Sequence, residues 1–155
     1  MYDMPDEIQV EADGPLRIIT LNRPDELNAV NDDLHVGLAR IWSRLSQDRT
    51  ARAAVITGAG KAFSAGGDFN YIQQISQDAD LRAKTIADGR EIVMGMARCR
   101  IPVIAAVTGR RSVWGAAWWP SATSSTWGSG RSWPIRTCRS AWSPPTVAHW
   151  SGRCR

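Results

Sequence analysis

The composition of this 155-residue chain breaks at Gly109, and the break limits what can fold. Residues 1–109 carry all fifteen Asp and Glu, twelve of the nineteen Lys and Arg, and one of the eight Trp. Residues 110–155 carry seven Arg, seven Trp and nine Ser, and no Asp, Glu, Lys, Leu, Asn, Gln, Phe, Tyr or Met. A regular element needs apolar residues at a period near 3.6 or 2. The tail has too few aliphatic residues for either, so residues 110–155 have no predicted regular fold. The formal net charge of +4 is a sum of an acidic body and a tail at +7. The pI of 9.4 averages the two and does not mark a nucleic-acid-binding domain.

The first 109 residues are patterned throughout. EIQVEADGPLRIITLNRP reads as two extended runs around a turn at Ala12 to Pro15, and Pro24 stops the second run. Asn31 is a good N-cap, with Asp32 and Asp33 in the first turn, where the helix dipole favours anions. After it, DDLHVGLARIWSRLSQ repeats apolar residues at 34, 38, 41, 42 and 45, an amphipathic helix. His35 is placed on its exposed side, with no role. ARAAVITGAG is a short buried strand, KAFSAGGD a loop, and Phe69 to Ile75 one or two helical turns. Leu81, Ile86, Ile92, Val93 and Met96 outline a long helix with Gly89 as its weak point, and Pro102 opens the strand VIAAVTG. Helices covering a largely buried sheet make the fold class α/β.

The loop AFSAGGD carries the chemistry. Small residues let a backbone approach a ligand closely, and glycine tolerates conformations that other residues avoid. Amides pointing one way after such a turn form a donor pocket for a carbonyl oxygen that gains negative charge. On these residues alone an ordinary glycine-rich strand-to-helix connection is the favoured reading. A phosphate-cradling loop does not fit, because GxGxxG and GxxxxGK[ST] are both absent.

Three motifs in register, LNRPDELNAVN, VITGAGKAFSAGGDF and IPVIAAVTG, closely resemble the enoyl-CoA hydratase/isomerase, or crotonase, family over residues 8–109. The resemblance implies the N-terminal part of a crotonase-type ββα spiral, residues 1–109 forming a partial acyl-CoA-binding domain. It implies that a backbone amide, here that of Gly67, holds the thioester carbonyl of an acyl-CoA and stabilises an enolate. Glu26, Leu27, Ala29, Ala65, Gly66, Asp68 and Phe69 would line the path of the coenzyme A. For Asp68, capping the following helix is an equal alternative. Coenzyme A enters as part of the substrate, with no separate cofactor. Intact relatives would be homotrimers or hexamers.

In that family a second amide follows directly after VTG, within a run resembling GPAVGLGCSLALACD. Here RRSVWGAAWWPSATS follows instead. Joining the third base of each codon to the first two of the next makes Trp118-Trp119 and Trp119-Pro120 encode Val and then Ala. The neighbouring codons permit G-P-P-V-G-L-G-C-S-L-V-A-L-G-D-I-V-Y, which looks like the missing motif. The tail therefore reads as a frameshift near codon 110, and the chain as a truncated, inactive or weakly active form without the trimerising part. The recovered frame offers Ser or Gly and then His where hydratases of the family place two Glu.

A non-catalytic fragment that binds acyl-CoA or associates with paralogues is the first alternative. A basic, Trp-bearing tail that binds nucleic acid or an anionic membrane is the second. The tail's aperiodic Trp and four Pro disfavour it, and neither partner is expected. Cys99, Cys138 and Cys154 are odd in number and lack ligand spacing, so neither a disulfide framework nor a metal site is expected. With no signal-like start and no long apolar run, the expected location is the cytoplasm.

Overall fold

The computed structural model describes residues 2–107 and the backbone of two short strands at Arg110–Arg111 and Ser124–Trp127. The hairpin expected at the start forms β1 (Ile8–Asp13) and β2 (Leu16–Leu21), paired antiparallel with Ile8 opposite Leu21. The chain then runs through a single 3-10 turn at Pro24–Glu26, α1 (Asp32–Gln47), β3 (Ala53–Gly58) and β4 (Ala62–Ser64). It continues as α2 (Phe69–Gln77), α3 (Ala79–Ala97), β5 (Val103–Val107), β6 (Arg110–Arg111) and β7 (Ser124–Trp127). The main sheet has the order β1-β2-β3-β5-β7, parallel from β2 onward, and β4 pairs parallel with β6 in a second small sheet. Parallel neighbours need long crossovers. Here α1 links β2 to β3, and α2 with α3 link β3 to β5.

Helix α1 follows its sequence pattern closely. Leu34, Leu38, Ile41, Trp42 and Leu45 are buried, and Asn31 accepts the Leu34 N–H at 3.0 Å as its cap. They pack with Ile19 and Leu21 of β2, Ile56 of β3, Ile92 of α3 and Val103 and Ala105 of β5 in one core. Each such side chain stabilises by about 1.5–3 kcal/mol on burial. Helix α3 exists as expected, but its apolar residues do not share one face: Ile92 is buried, while Ile86 and Val93 are exposed.

Two expectations need correction. His35 is buried rather than exposed, because α3 packs against that side of α1; Gly89 of α3 lies beside the ring, where a Cβ would stand 3.9 Å from His35 Nε2, an ordinary contact. Burial lowers its pKa below the ordinary 6.5, with Asp88 opposing, Lys84 adding to the shift and Asp32 opposing it. KAFSAGGD is not all loop, since Ala62–Ser64 is strand β4, extended beside β6. In the tail, the described backbone adds only β6 and β7, short pairings beside β4 and β5. The remaining calls on residues 110–155 lie outside the described residues.

A polar clamp ties the hairpin to the end of α1. Arg17, buried, donates from Nε to Asp48 Oδ2 at 2.8 Å, from Nη2 to Thr50 Oγ1, and from Nη1 to the Gly14 and Leu16 carbonyls. Tyr2 donates to the same Asp48 oxygen at 2.7 Å. Hydrogen bonds from Thr50 and Tyr2, with Arg17 beside them, hold the Asp48 carboxyl far below the usual carboxylate range.

Candidate functional site

Two loops meet where β2 and β3 end. The first, residues 22–31, turns twice through the left-handed region, at Leu27 (φ 51°) and Asn28 (φ 56°). Asparagine tolerates that conformation because its short side chain can bond locally. Asn28 is fully buried and uses every part of its amide. Its Oδ1 accepts the Arg23 N–H at 2.8 Å, and its Nδ2 donates to the Ala59 and Ala62 carbonyls at 2.8 Å each. One side chain thus pins the first loop to both sides of the turn into β4. Gly58 allows that turn, since a Cβ there would collide with the carbonyls of Ala62 and Phe63.

The second loop, Ala65 to Asp68, lies along the first. Ala65 N–H donates to Leu27 O at 2.8 Å, Val30 N–H to Gly66 O at 2.7 Å, and Asp68 N–H to Val30 O at 3.0 Å. Gly66 has φ +102°, open to glycine and strained for any side chain. The peptide joining Gly66 to Gly67 is planar and trans, so its C=O and N–H point in opposite directions. Because Gly66 C=O faces Val30, the Gly67 N–H faces away from Val30. Among the described residues, none accepts a hydrogen bond from it.

Gly66 and Gly67 line a cavity of about 460 Å³ between α1, α2, α3 and the sheet. Its other walls are mainly apolar, among them Val30, Leu38, Phe63, Ile72 and Ile86, with Tyr71 and His35 on one side. Volumes of roughly 300–1,000 Å³ are usual for small-molecule sites. Tyr71 is held by its hydroxyl, which donates to Asp32 Oδ1 at 3.1 Å and lies 2.8 Å from Thr85 Oγ1. Lys84 Nζ stands 2.6 Å from the same Asp32 oxygen.

Of the residues expected at the site, Gly66 and Gly67 line this cavity; Glu26, Leu27, Ala29, Ala65, Asp68 and Phe69 do not. Those six lie on the rim of the paired loops. Glu26 and Ala65 are exposed, Leu27 is 42% and Phe69 88% exposed, and Ala29 is half-buried. Asp68 caps α2, accepting from Asn70 N–H at 2.9 Å and Tyr71 N–H at 3.3 Å, and pairs with Arg23 at 3.2 Å. Asn28 and Ser64 were missed. The signal for Asn28 was its place in the turn of LNRPDELN, where a left-handed residue is needed. Among the described residues no three His, Cys, Asp or Glu converge to hold a metal ion, and Cys99 is a free thiol. No helix among them is long and apolar enough to cross a membrane.

The sequence model of the enoyl-CoA hydratase/isomerase family matches residues 11–116, more than half of the chain. The chain belongs to the enoyl-CoA hydratase/isomerase family. The match runs a few residues past Gly109, where the composition changes. A Mycobacterium tuberculosis protein named as a probable enoyl-CoA hydratase is 36% identical over 105 residues, covering 67% of this chain and 40% of the relative. The 1,2-epoxyphenylacetyl-CoA isomerase of Escherichia coli is 37% identical over 93 residues, 59% of this chain and 36% of the isomerase. The crystal structure of an enoyl-CoA hydratase/isomerase from Mycobacterium paratuberculosis is 80% identical. It superposes with a TM-score of 0.69 over 70% of this chain and 43% of that one. The chain thus spans about two-fifths of the length of the family members it matches. The mixed α/β architecture is the crotonase fold of these neighbours.

Proposed function

We propose that the chain binds the thioester of an acyl-CoA, with the Gly67 N–H donating to the thioester carbonyl oxygen and the cavity beside it receiving the acyl group. The observation that carries this is the direction of one peptide: Val30 takes the Gly66 carbonyl at 2.7 Å, leaving the Gly67 N–H turned to the opposite side. A preorganised amide strengthens its bond as a carbonyl oxygen becomes an enolate oxygen, a gain of about 3 kcal/mol per donor at such sites. The mainly apolar cavity walls suit a hydrocarbon chain. The rim residues Glu26, Leu27, Ala29, Ala65, Asp68 and Phe69 would accompany the coenzyme A portion.

A second donor belongs after VTG, and the Arg/Trp/Ser-rich sequence there supports a chain read out of phase from about codon 110. With one donor in place of two, turnover of an enoyl-CoA is weak or absent while binding persists. Calorimetry with butyryl-CoA tests the binding: heat saturating in the millimolar range or below is expected, and no heat at millimolar ligand rejects it. The nucleotide sequence over codons 105–120 tests the phase. A downstream frame without the family pattern rejects that part.

A further inference from the structure

We infer that Ser64 is a positioning residue for the Gly67 donor. The inference rests on the proposed thioester contact and concerns what aims it. Gly66 is the pivot of the loop, and the two peptides flanking a glycine turn freely unless each is held. The peptide after Gly66 is held by Val30, whose N–H takes the Gly66 carbonyl at 2.7 Å. The peptide before it is held by Ser64, whose Oγ accepts the Gly66 N–H at 3.1 Å. That hydroxyl in turn donates its proton to the Asn28 carbonyl at 2.8 Å.

Ser64 is buried on β4, so its hydroxyl cannot exchange these partners for bulk water. Asn28 is fully buried and bonded to both ends of the turn leading into β4. The relay Asn28 O, Ser64 Oγ, Gly66 N–H therefore transmits a fixed reference to the peptide before the pivot. It also occupies the Gly66 N–H, which would otherwise compete with Gly67 for the same acceptor. Gly66 N–H is spent inward and Gly67 N–H is presented outward. Alanine at position 64 would keep the strand but free the 65–66 peptide to rotate about a glycine whose φ of +102° has no side chain to restrain it.

The test compares two ligands that differ at one atom: butyryl-CoA, with a thioester carbonyl, and S-butyl-CoA, a thioether without it. Dissociation constants are measured by calorimetry on the full chain. A single hydrogen bond to the carbonyl gives the wild type a preference for the thioester of roughly three- to tenfold. Ser64→Ala is expected to bring that ratio to about one, whatever happens to the thioether's own affinity. Because truncation at a buried site can unfold the strand, Ser64→Thr and Ser64→Val form a second pair with equal shape. Threonine, keeping the hydroxyl, should retain the preference, and valine should lose it. A preference that survives in Ser64→Ala or Ser64→Val overturns the role of Ser64 and leaves the thioester contact standing. A wild-type ratio of one overturns the contact itself, and the positioning role with it.

Discussion

Arg23 and Asp68 lie 45 positions apart and meet in an ion pair of 3.2 Å that joins the two loops of the site. Asp68 has a second task, since the same carboxylate caps α2 through Asn70 and Tyr71. Burial by itself would raise its pKa, but the Tyr71 amide, the Arg23 guanidinium and the Asn70 amide outweigh that and hold it below the ordinary 3.8. The two tasks separate by substitution. Asparagine caps a helix about as well as aspartate, so Asp68→Asn should lose the pair and cost less than about 1 kcal/mol. Asp68→Ala loses the cap as well, and should cost about 1 kcal/mol more. In urea denaturation, Arg23→Met should couple to Asp68 but not to Asn at that position. Equal losses from Asn and Ala would show that the cap contributes nothing.

The neighbouring glycines respond to alanine differently. Gly66 sits at φ +102°, so Gly66→Ala is strained whatever the space around it, at about 1–3 kcal/mol. Gly67 has no such φ, and a Cβ there would meet Ile72 Cδ1 at 2.9 Å, the tip of a half-exposed, movable side chain. Gly67→Ala should cost less than about 1 kcal/mol. Thermal melts of both variants check the order, and a Gly67 variant less stable than the Gly66 variant would contradict it.

Asn28 should be the least replaceable residue of the site. Asn28→Ala leaves the Ala59 and Ala62 carbonyls and the Arg23 N–H without their partner, at about 1–3 kcal/mol for each group that stays dry. It also places alanine at φ 56°, adding about 1 kcal/mol. A loss of at least about 3 kcal/mol is expected in urea denaturation. Asn28→Gly relieves only the backbone share and should remain most of the way toward the alanine variant. A loss below about 1 kcal/mol would mean that water replaces the amide.

The pattern of α1 was legible because burial there follows a local period, 34, 38, 41, 42 and 45, behind a recognisable cap at Asn31. The glycine motif and its direction in the chain were legible for a different reason, since strand, glycine turn and helix are each signalled locally. What sequence did not show depends on distant partners. His35 is buried because α3, far along the chain, packs against α1. The Gly67 N–H is aimed by Val30 across two loops, and the role of Ser64 exists only because Asn28 stands next to it. Strand β4, three residues between glycines, is too short to show a period.

His35 gives the fold a pH dependence that its surroundings make separable. The ring is buried against the cavity wall, with Tyr71 at a centroid distance of 6.3 Å and Asp32, Lys84 and Asp88 acting on its charge. Burial is the largest influence, and the folded pKa lies below the ordinary 6.5. Between the folded value and 6.5 the unfolded chain therefore binds more protons than the folded one, so stability rises with pH across that interval. The contribution is complete above pH 6.5 and is lost as pH falls toward the folded pKa. Asp32 and Asp68 act in the same direction, but their pKa values lie below the ordinary 3.8, so their contribution stays intact over the histidine's interval. Melting temperatures should be flat from pH 8 to 7 and decline from about pH 6.5 to 5. In His35→Leu, which keeps an apolar group at that wall, the decline should largely vanish. A wild-type profile flat to pH 5, or an equal decline in the leucine variant, would show that the ring is not held neutral by the fold.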